Sequence, residues 1–164
     1  MKEREKITVF TDGSCYAKHP EKLGGSGAYI LWKDKEYFIS KGYKNTTIDR
    51  REIEAITLAL RAIKTDISCT VTFYVDRQNV VNTLKSKYIT WYQFGSATDI
   101  VINQDVWIEL FKEIRKHKKM KINVCWIPGH QKDKENPITL GNHIADILAD
   151  YKQFTTYQDD QINS

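Results

Sequence analysis

The feature that most constrains this chain is a strand-forming run close to its start that ends in a carboxylate and a glycine. Residues 7–11 are all β-branched or aromatic, a composition typical of a strand. Because the run is apolar at nearly every position, it predicts a central strand covered on both faces. Asp12 would then lie at the mouth of a core, where a carboxylate can bind Mg²⁺ while Gly13 lets the backbone approach closely. The alternative is that Asp12 and Gly13 only form a hairpin turn.

Length and composition restrict the class of protein. A chain of 164 residues with 41% hydrophobic and 28% charged residues is typical of one globular domain with its own core. The charged residues 1–6 lead directly into the first strand, and no stretch has the pattern of a signal peptide or membrane span, so we expect a cytoplasmic protein. The cysteines at 15, 69 and 125 are too far apart to indicate a disulfide framework or a zinc site.

The charge distribution leaves the type of partner open. A net charge of +4 permits a nucleic-acid partner without requiring one. Cations crowd the segment 112–121, at the end of a predicted helix. They either complement the helix dipole as a solvated last turn or contact nucleic acid.

Hydrophobic periodicity predicts three strands followed by alternating helices and strands. Three successive strands favour an antiparallel meander, and the later strands, separated by helices, must join by crossovers into a mixed sheet with helices packed against it. Residues 1–154 are predicted to form this domain, and the polar segment 155–164 a frayed tail. Asp49 is the predicted cap of the first helix and Asn142 of the last. The predicted strands are 7–15, 28–33, 36–43, 70–75 and 122–126, and the predicted helices are 50–64, 78–84, one around 107–114 and one from 142.

Four acids fall at positions where a site could form. Asp76 ends a buried strand as Asp12 does, and ligands of open α/β sheets collect beyond such strand ends. Glu52 and Asp146 lie in the predicted first turns of two helices. Acids in a first turn also favour the helix dipole, which is a sufficient structural reason for either of them.

The chain resembles a type 1 ribonuclease H in five segments that occur in the family's order. The resemblance implies a ribonuclease H-like three-layer α/β fold, with a five-stranded mixed sheet of three antiparallel strands followed by parallel strands, and helices on both faces. It extends from about residue 6 to residue 151. The segments are 11–15 (TDGSC), 50–52 (RRE), 75–78 (VDRQ), 126–130 (WIPGH) and 141–146 (GNHIAD).

The resemblance implies a metal-dependent endonuclease that cleaves the RNA strand of RNA–DNA hybrids and leaves 5′-phosphate and 3′-hydroxyl ends. It implies that the metal-binding acids are Asp12, Glu52, Asp76 and Asp146, with His130 as an auxiliary catalytic residue. Two Mg²⁺ ions about 3.5–4 Å apart, with Mn²⁺ as a substitute, can serve both ends of an in-line displacement. The imidazole of His130 can move protons near neutral pH. The alternative is that His130 is an exposed loop histidine without a catalytic role.

The substrate contacts are predicted from the positions of residues relative to the family's motifs. The enzyme is expected to be a monomer. Selecting a hybrid needs contacts to the 2′-hydroxyls of one strand and a groove for the other. The predicted contacts are Cys15, Thr47, Arg50, Arg51, Gln78, Asn79, Lys87 and Trp91.

The chain departs from the family's pattern around these contacts. The loop between His130 and Asn142 is longer than usual, and the segment 18–25 replaces a glycine-rich loop. Asn79 stands where the family has a tyrosine. The resemblance implies that the helix around residues 78–94 and the loop after it form the family's substrate-binding protrusion. This segment has few cations, and its aromatic residues between 88 and 94 either stack on the nucleic acid or pack onto the body of the protein.

Three other functions use related features. A sugar-kinase-like or actin-like domain grips phosphate with an Asp-Gly-Ser turn but needs two lobes. A transposase-like or junction-cleaving nuclease also uses clustered acids. A non-catalytic module that binds hybrids is a third alternative, although such modules tend to lose their acids.

Overall fold

The computed structural model of the chain describes residues 4–94, 100 and 102–160, without the side chains of 88–94. Three strands open the fold: β1 (Glu5–Cys15), β2 (Gly24–Trp32) and β3 (Lys35–Lys44). They are followed by α1 (Ile48–Ala62), β4 (Cys69–Val75), α2 (Gln78–Phe94), α3 (Gln104–Lys116), β5 (Met120–Trp126) and α4 (Pro137–Ala149). A 3₁₀ turn (Tyr151–Gln153) and a short strand β6 (Gln158–Asp159) come last.

The sheet confirms the predicted mixture of antiparallel and parallel strands. Its order is β5-β4-β1-β2-β3-β6, so the described sheet has six strands where five were predicted. β1 is an interior strand that pairs antiparallel with β2 and parallel with β4. Its pairing with β2 continues through Cys15, opposite Gly24, so the hairpin-turn alternative for Asp12 and Gly13 is wrong.

Each face of the sheet has its own core. On one face, Ile7 and Val9 belong to a large cluster built with residues of α1, α2 and α3. On the other face, Phe10 packs with Tyr29 and with Ala145 of α4. Because successive side chains of a strand point to opposite faces, β1 supports both clusters, and the prediction of helices on both faces is confirmed.

The start of α1 differs from its prediction. The helix begins at Ile48, and its N-cap is Thr47, whose hydroxyl accepts a hydrogen bond from the Arg50 N–H at 3.4 Å. The prediction of Asp49 as the cap is therefore wrong. Glu52 consequently lies beyond the first turn, and the helix dipole does not account for it.

The start of α4 was also predicted too late. Asn136 caps this helix through its side chain, and Pro137 occupies the first turn, where a missing N–H costs no hydrogen bond. Gly141, which the sequence pattern treats as a boundary, is a buried residue within the helix. A Cβ atom there would lie 2.4 Å from the Phe10 ring, so the helix can pack this closely on Phe10 only with glycine at this position. Asp146 is therefore well inside the helix, and the dipole explanation fails for it as well.

Two further predictions of local structure need correction. The helix predicted over 78–84 continues to Phe94. The frayed tail predicted from residue 155 is wrong for 158–160, because β6 pairs in parallel with the end of β3 and the Asp160 N–H donates to the Lys44 carbonyl at 2.9 Å. Residues 161–164 lie outside the described chain. None of the described helices combines the length and apolarity needed to cross a membrane.

Candidate active site

Three carboxylates meet at the edge of the sheet where β1 and β4 end. Because these strands are parallel and Thr11 pairs with Val75, the residues that follow, Asp12 and Asp76, reach the same edge. Glu52 of α1 joins them. One carboxylate oxygen of each acid lies within 4.8 Å of the other two.

Glu52 reaches this cluster because α1 rests directly on β1 at Gly13. A Cβ atom at residue 13 would lie 2.5 Å from the Glu52 nitrogen and 2.7 Å from the Arg51 carbonyl carbon. No side chain fits at those distances, so this approach of the helix requires glycine. The Gly13 N–H also donates to Asp12 Oδ1 at 2.9 Å, which orients that carboxylate.

Burial and mutual repulsion make these carboxyl groups hard to ionise. Asp12 is 5% exposed and Glu52 is 2% exposed. Burial is the largest effect that raises the pKa of Asp12 well above its usual range, followed by the charges of Glu52 and Asp76. Burial, followed by the charge of Asp76, raises the pKa of Glu52 to about 8. Burial also raises the pKa of Asp76. A positive charge among the three acids would reverse this effect.

The donor set fits a hard divalent cation. The Glu52 Oε2 atom is buried and has no hydrogen-bond partner among the described residues. The members of the cluster are all carboxylates, which suit Mg²⁺ or Mn²⁺ better than zinc. The residues present therefore match the metal that the sequence resemblance implies.

Asp146 approaches the cluster from α4. Asp146 is not in the group of acids whose oxygens lie within 4.8 Å of one another, but its side chain is a further, smaller cause of the raised pKa of Asp12, after burial and the effects of Glu52 and Asp76. Asp146 also lines a small cavity of about 20 Å³ together with Asp76 and His130. A cavity of that size has room for one water-sized species.

His130 lies at the rim of the same cavity, exposed, in the loop that follows β5. Its backbone is left-handed, with φ of 57°. The preceding Gly129 packs on Asp76, since a Cβ atom there would lie 2.9 Å from Asp76 Oδ2. Burial raises the pKa of Asp76, and a positive charge on His130 acts in the opposite direction. The structure thus brings His130 beside the acids although its loop is longer than the family's.

Asn142 was missed as a site residue, because the sequence pattern assigned it to a helix cap. It is 5% exposed within α4 and lines the cavity with Asp146 and His130. Its Oδ1 atom is buried without a hydrogen-bond partner among the described residues. The signal that could have found it is the spacing of four residues from Asp146, which places both on one helix face.

Arg50 and Arg51, predicted to contact the substrate, are paired inside the protein. Arg50 is 7% exposed and forms a bidentate pair with Asp105, at 2.8 and 2.7 Å. Arg51 is 1% exposed, donates to Asp160 at 2.9 Å, and lies with its guanidinium carbon 3.4 Å from the centre of the Tyr43 ring. Buried and paired guanidinium groups cannot reach a nucleic-acid backbone, so this prediction is wrong. Position in the sequence did not show which way either side chain faces.

Two predicted contacts lie next to the start of α1. Thr47 is exposed, and its hydroxyl caps the helix. Cys15 is half-buried, and its thiol donates to the Thr46 carbonyl at 3.5 Å. Their contact with a substrate stays a prediction.

The remaining predicted contacts belong to α2. Gln78 and Asn79 are exposed at its start, and Asn79 donates to Asp49 at 3.4 Å. Asn79 and Lys87 line a cavity of about 460 Å³ bordered by α1, α2 and α3. The side chain of Trp91 lies outside the described part of the chain.

Sequence comparison relates the chain to bacterial proteins. The RNase H family model matches residues 4–153. The ribonuclease H of Haemophilus influenzae (strain 86-028NP) is 37% identical over 138 residues, which cover 82% of this chain and 85% of that protein. The ribonuclease HI of Vibrio parahaemolyticus is 35% identical over 135 residues, which cover 80% of this chain and 83% of that protein.

Solved structures share the fold. LC9-RNase H1, described as a type 1 RNase H with the type 2 active-site motif, aligns with a TM-score of 0.67 at 20% identity over 91% of this chain and 72% of that chain. The prototype foamy virus protease-reverse transcriptase aligns with a TM-score of 0.70 at 22% identity over 91% of this chain and 21% of that chain. The family match over residues 4–153 and the relatives at 35–37% identity favour the ribonuclease over the kinase-like and transposase-like alternatives. Because the family model matches most of the chain and a relative is 37% identical over more than two thirds of both proteins, the chain belongs to the RNase H family, type 1.

Proposed function

We propose that this chain is an endoribonuclease that hydrolyses the RNA strand of RNA–DNA hybrids and leaves 5′-phosphate and 3′-hydroxyl ends. The observation that carries the proposal is the meeting of Asp12, Glu52 and Asp76, with one oxygen of each within 4.8 Å of the others. The relatives named ribonuclease H support the reaction. The foamy viral protease-reverse transcriptase, which shares the fold, was solved in complex with an RNA/DNA hybrid, and this agrees with the proposed substrate.

The proposed cofactor is a pair of divalent ions, Mg²⁺ or Mn²⁺. Asp12, Glu52, Asp76 and Asp146 would hold them. When bound, such ions supply activation of the attacking water and stabilisation of the departing oxygen. The chain's own contacts would fix the positions of these carboxylates. The Gly13 N–H orients Asp12, and the packing of α1 on Gly13 fixes Glu52.

His130 is the proposed proton carrier of the site. It is exposed at the rim of the cavity that Asp76 and Asp146 line, so its ring nitrogens can exchange protons with solvent. A histidine placed this way can accept a proton from, or return one to, the reacting groups.

The proposed hybrid-binding surface runs from the acids along α2. Gln78 lies two residues beyond Asp76 and is exposed. Cys15, Thr47, Asn79, Lys87 and Trp91 are the other proposed contacts. Because Arg50 and Arg51 are buried, few cations of this surface remain for phosphate contacts, which favours a shallow dependence of binding on salt.

We further propose a monomeric cytoplasmic enzyme. The three cysteines, all within the described chain, are free thiols, which suits a reducing compartment.

One cleavage assay tests the function. Labelled RNA–DNA hybrid, double-stranded RNA and double-stranded DNA are each incubated with the protein and Mg²⁺, with Asp76→Asn as the control. We expect internal cleavage of the RNA strand of the hybrid alone, no cleavage without the metal, and at most trace cleavage by Asp76→Asn. Binding of the hybrid without cleavage would overturn the proposal in favour of the non-catalytic alternative. Cleavage of double-stranded DNA would overturn the proposed substrate.

A further inference from the structure

We propose that Asp160, which follows β6, is a positioning residue that holds the start of α1 and thereby keeps Glu52 in place among the acids. The inference deepens the proposed function and rests on it, because it takes Glu52 as a ligand of a divalent ion. Asp160 touches none of the acids itself. Its effect would pass through the arginine that precedes Glu52.

Asp160 ties the loop after β3 to the first turn of α1. Its Oδ2 atom accepts hydrogen bonds from Thr46 Oγ1 at 2.8 Å, Arg50 Nε at 2.8 Å and Arg51 Nη2 at 2.9 Å. Its Oδ1 atom accepts from Arg50 Nη2 at 3.1 Å. The side chain is 12% exposed, and the backbone is held by the N–H that donates to the Lys44 carbonyl. One carboxylate therefore stabilises two neighbouring guanidinium groups.

Arg51 depends on Asp160 more than Arg50 does. Among the described residues, Asp160 is the one carboxylate that forms an ion pair with Arg51. Its other hydrogen bonds and its ring contact are with the neutral groups of Thr46, Ser26 and Tyr43, and the charge of Glu54 acts on it without forming an ion pair. A buried cation that loses its counterion is strongly destabilised and must move or attract water. Arg50, in contrast, keeps its bidentate pair with Asp105.

A displacement of Arg51 would also move Glu52. The two residues are consecutive, and the Arg51 carbonyl accepts a hydrogen bond from Ser26 Oγ at 2.7 Å. The backbone of both residues lies against Gly13 with no room for a Cβ atom between them. Because Gly13 directly follows Asp12, a small shift of this turn changes the separation of the Glu52 and Asp12 carboxylates. Metal affinity is sensitive to such outer contacts that orient the ligands.

The test compares two isosteric variants. Asp160→Asn removes the charge that pairs with Arg51, whereas Asp105→Asn, the matched control, removes a charge from Arg50 alone. Isothermal titration with Mn²⁺ measures metal affinity without substrate, and hybrid cleavage gives kcat and KM. We expect Asp160→Asn to bind Mn²⁺ about tenfold more weakly, with a similar fall in kcat and an unchanged KM for the hybrid. Asp105→Asn should keep the wild-type affinity for Mn²⁺.

The outcomes separate this inference from the proposed function. Wild-type protein that binds no Mn²⁺ would overturn the proposed function and, with it, the role of Asp160. Wild-type protein that binds Mn²⁺ while Asp160→Asn binds it equally well would overturn the role of Asp160 alone. An equal loss in both variants would do the same, because it would show general loosening. If Asp160→Asn does not fold, Arg51→Lys keeps the buried charge but loses the planar group that joins Asp160, Thr46 and Ser26, and unchanged Mn²⁺ affinity in that variant would refute the inference.

Discussion

Replacing Glu52 by Gln in the metal-free protein should raise the free energy of unfolding at alkaline pH while it removes a proposed metal ligand. Burial, followed by the charge of Asp76, raises the pKa of Glu52 from 4.5 to about 8. Between these values the folded chain holds a proton that the unfolded chain releases, so the free energy of unfolding falls as the pH rises through this window. At about 1.4 kcal/mol for each pKa unit, the loss amounts to up to about 5 kcal/mol above pH 8. Gln has the same shape without the charge, so Glu52→Gln escapes the loss.

Urea unfolding in the presence of a chelator, followed by circular dichroism between about pH 4 and pH 9, measures this effect. We expect the free energies of unfolding of wild-type protein and Glu52→Gln to be similar at the acid end and to differ most at the alkaline end. Glu135→Gln, the same chemical change in an exposed loop, should follow the wild-type curve. Parallel curves for wild-type protein and Glu52→Gln would refute the reasoning, because they would show that Glu52 ionises in the fold without cost.

Three other perturbations address the packing, the metal and the proton carrier. Gly13→Ala should lower the free energy of unfolding by about 1–3 kcal/mol, because its Cβ atom would lie 2.5 Å from the Glu52 nitrogen; an unchanged urea midpoint would show that α1 can retreat. Mg²⁺ should raise the Tm of the wild-type protein, and Asp76→Asn should reduce that rise; a wild-type Tm insensitive to Mg²⁺ would count against the metal site. His130→Ala should lower kcat on the hybrid by about 10²-fold with unchanged hybrid binding; an unchanged kcat would remove His130 from the mechanism.

The elements that depend on local pattern were largely predictable. β1 is apolar on both faces, and the structure places it in the interior of the sheet between β2 and β4. The alternation of strands and helices correctly predicted the mixed sheet. Helix starts were less predictable, since Gly141 looks like a boundary in sequence and is buried inside α4, against the Phe10 ring. That error hid Asn142 and gave Asp146 a structural explanation that its place in the helix does not support.

The contacts of Arg50 and Arg51, the arginines beside Glu52, could not be predicted from the sequence. Their neighbours in the sequence suggested a phosphate contact, but their partners, Asp105 and Asp160, are 55 to 110 residues away. Pairing at such separations leaves no local pattern. It also explains the wrong prediction of a frayed tail over 158–160, because the polar residue Asp160 is there to pair with the buried cations of α1.

The sequence by itself determined five of the six described strands, the central place of β1, the four candidate acids and the family resemblance, because hydrophobic period and short motifs are local properties. Only the tertiary structure decided which acids share one cluster, that Glu52 lies against Gly13, and that Arg50 and Arg51 face Asp105 and Asp160 instead of a substrate. The physical reason is that these features depend on distances between elements. Such distances are set by the register of parallel strands and by close packing at glycine, which no local stretch of the chain specifies.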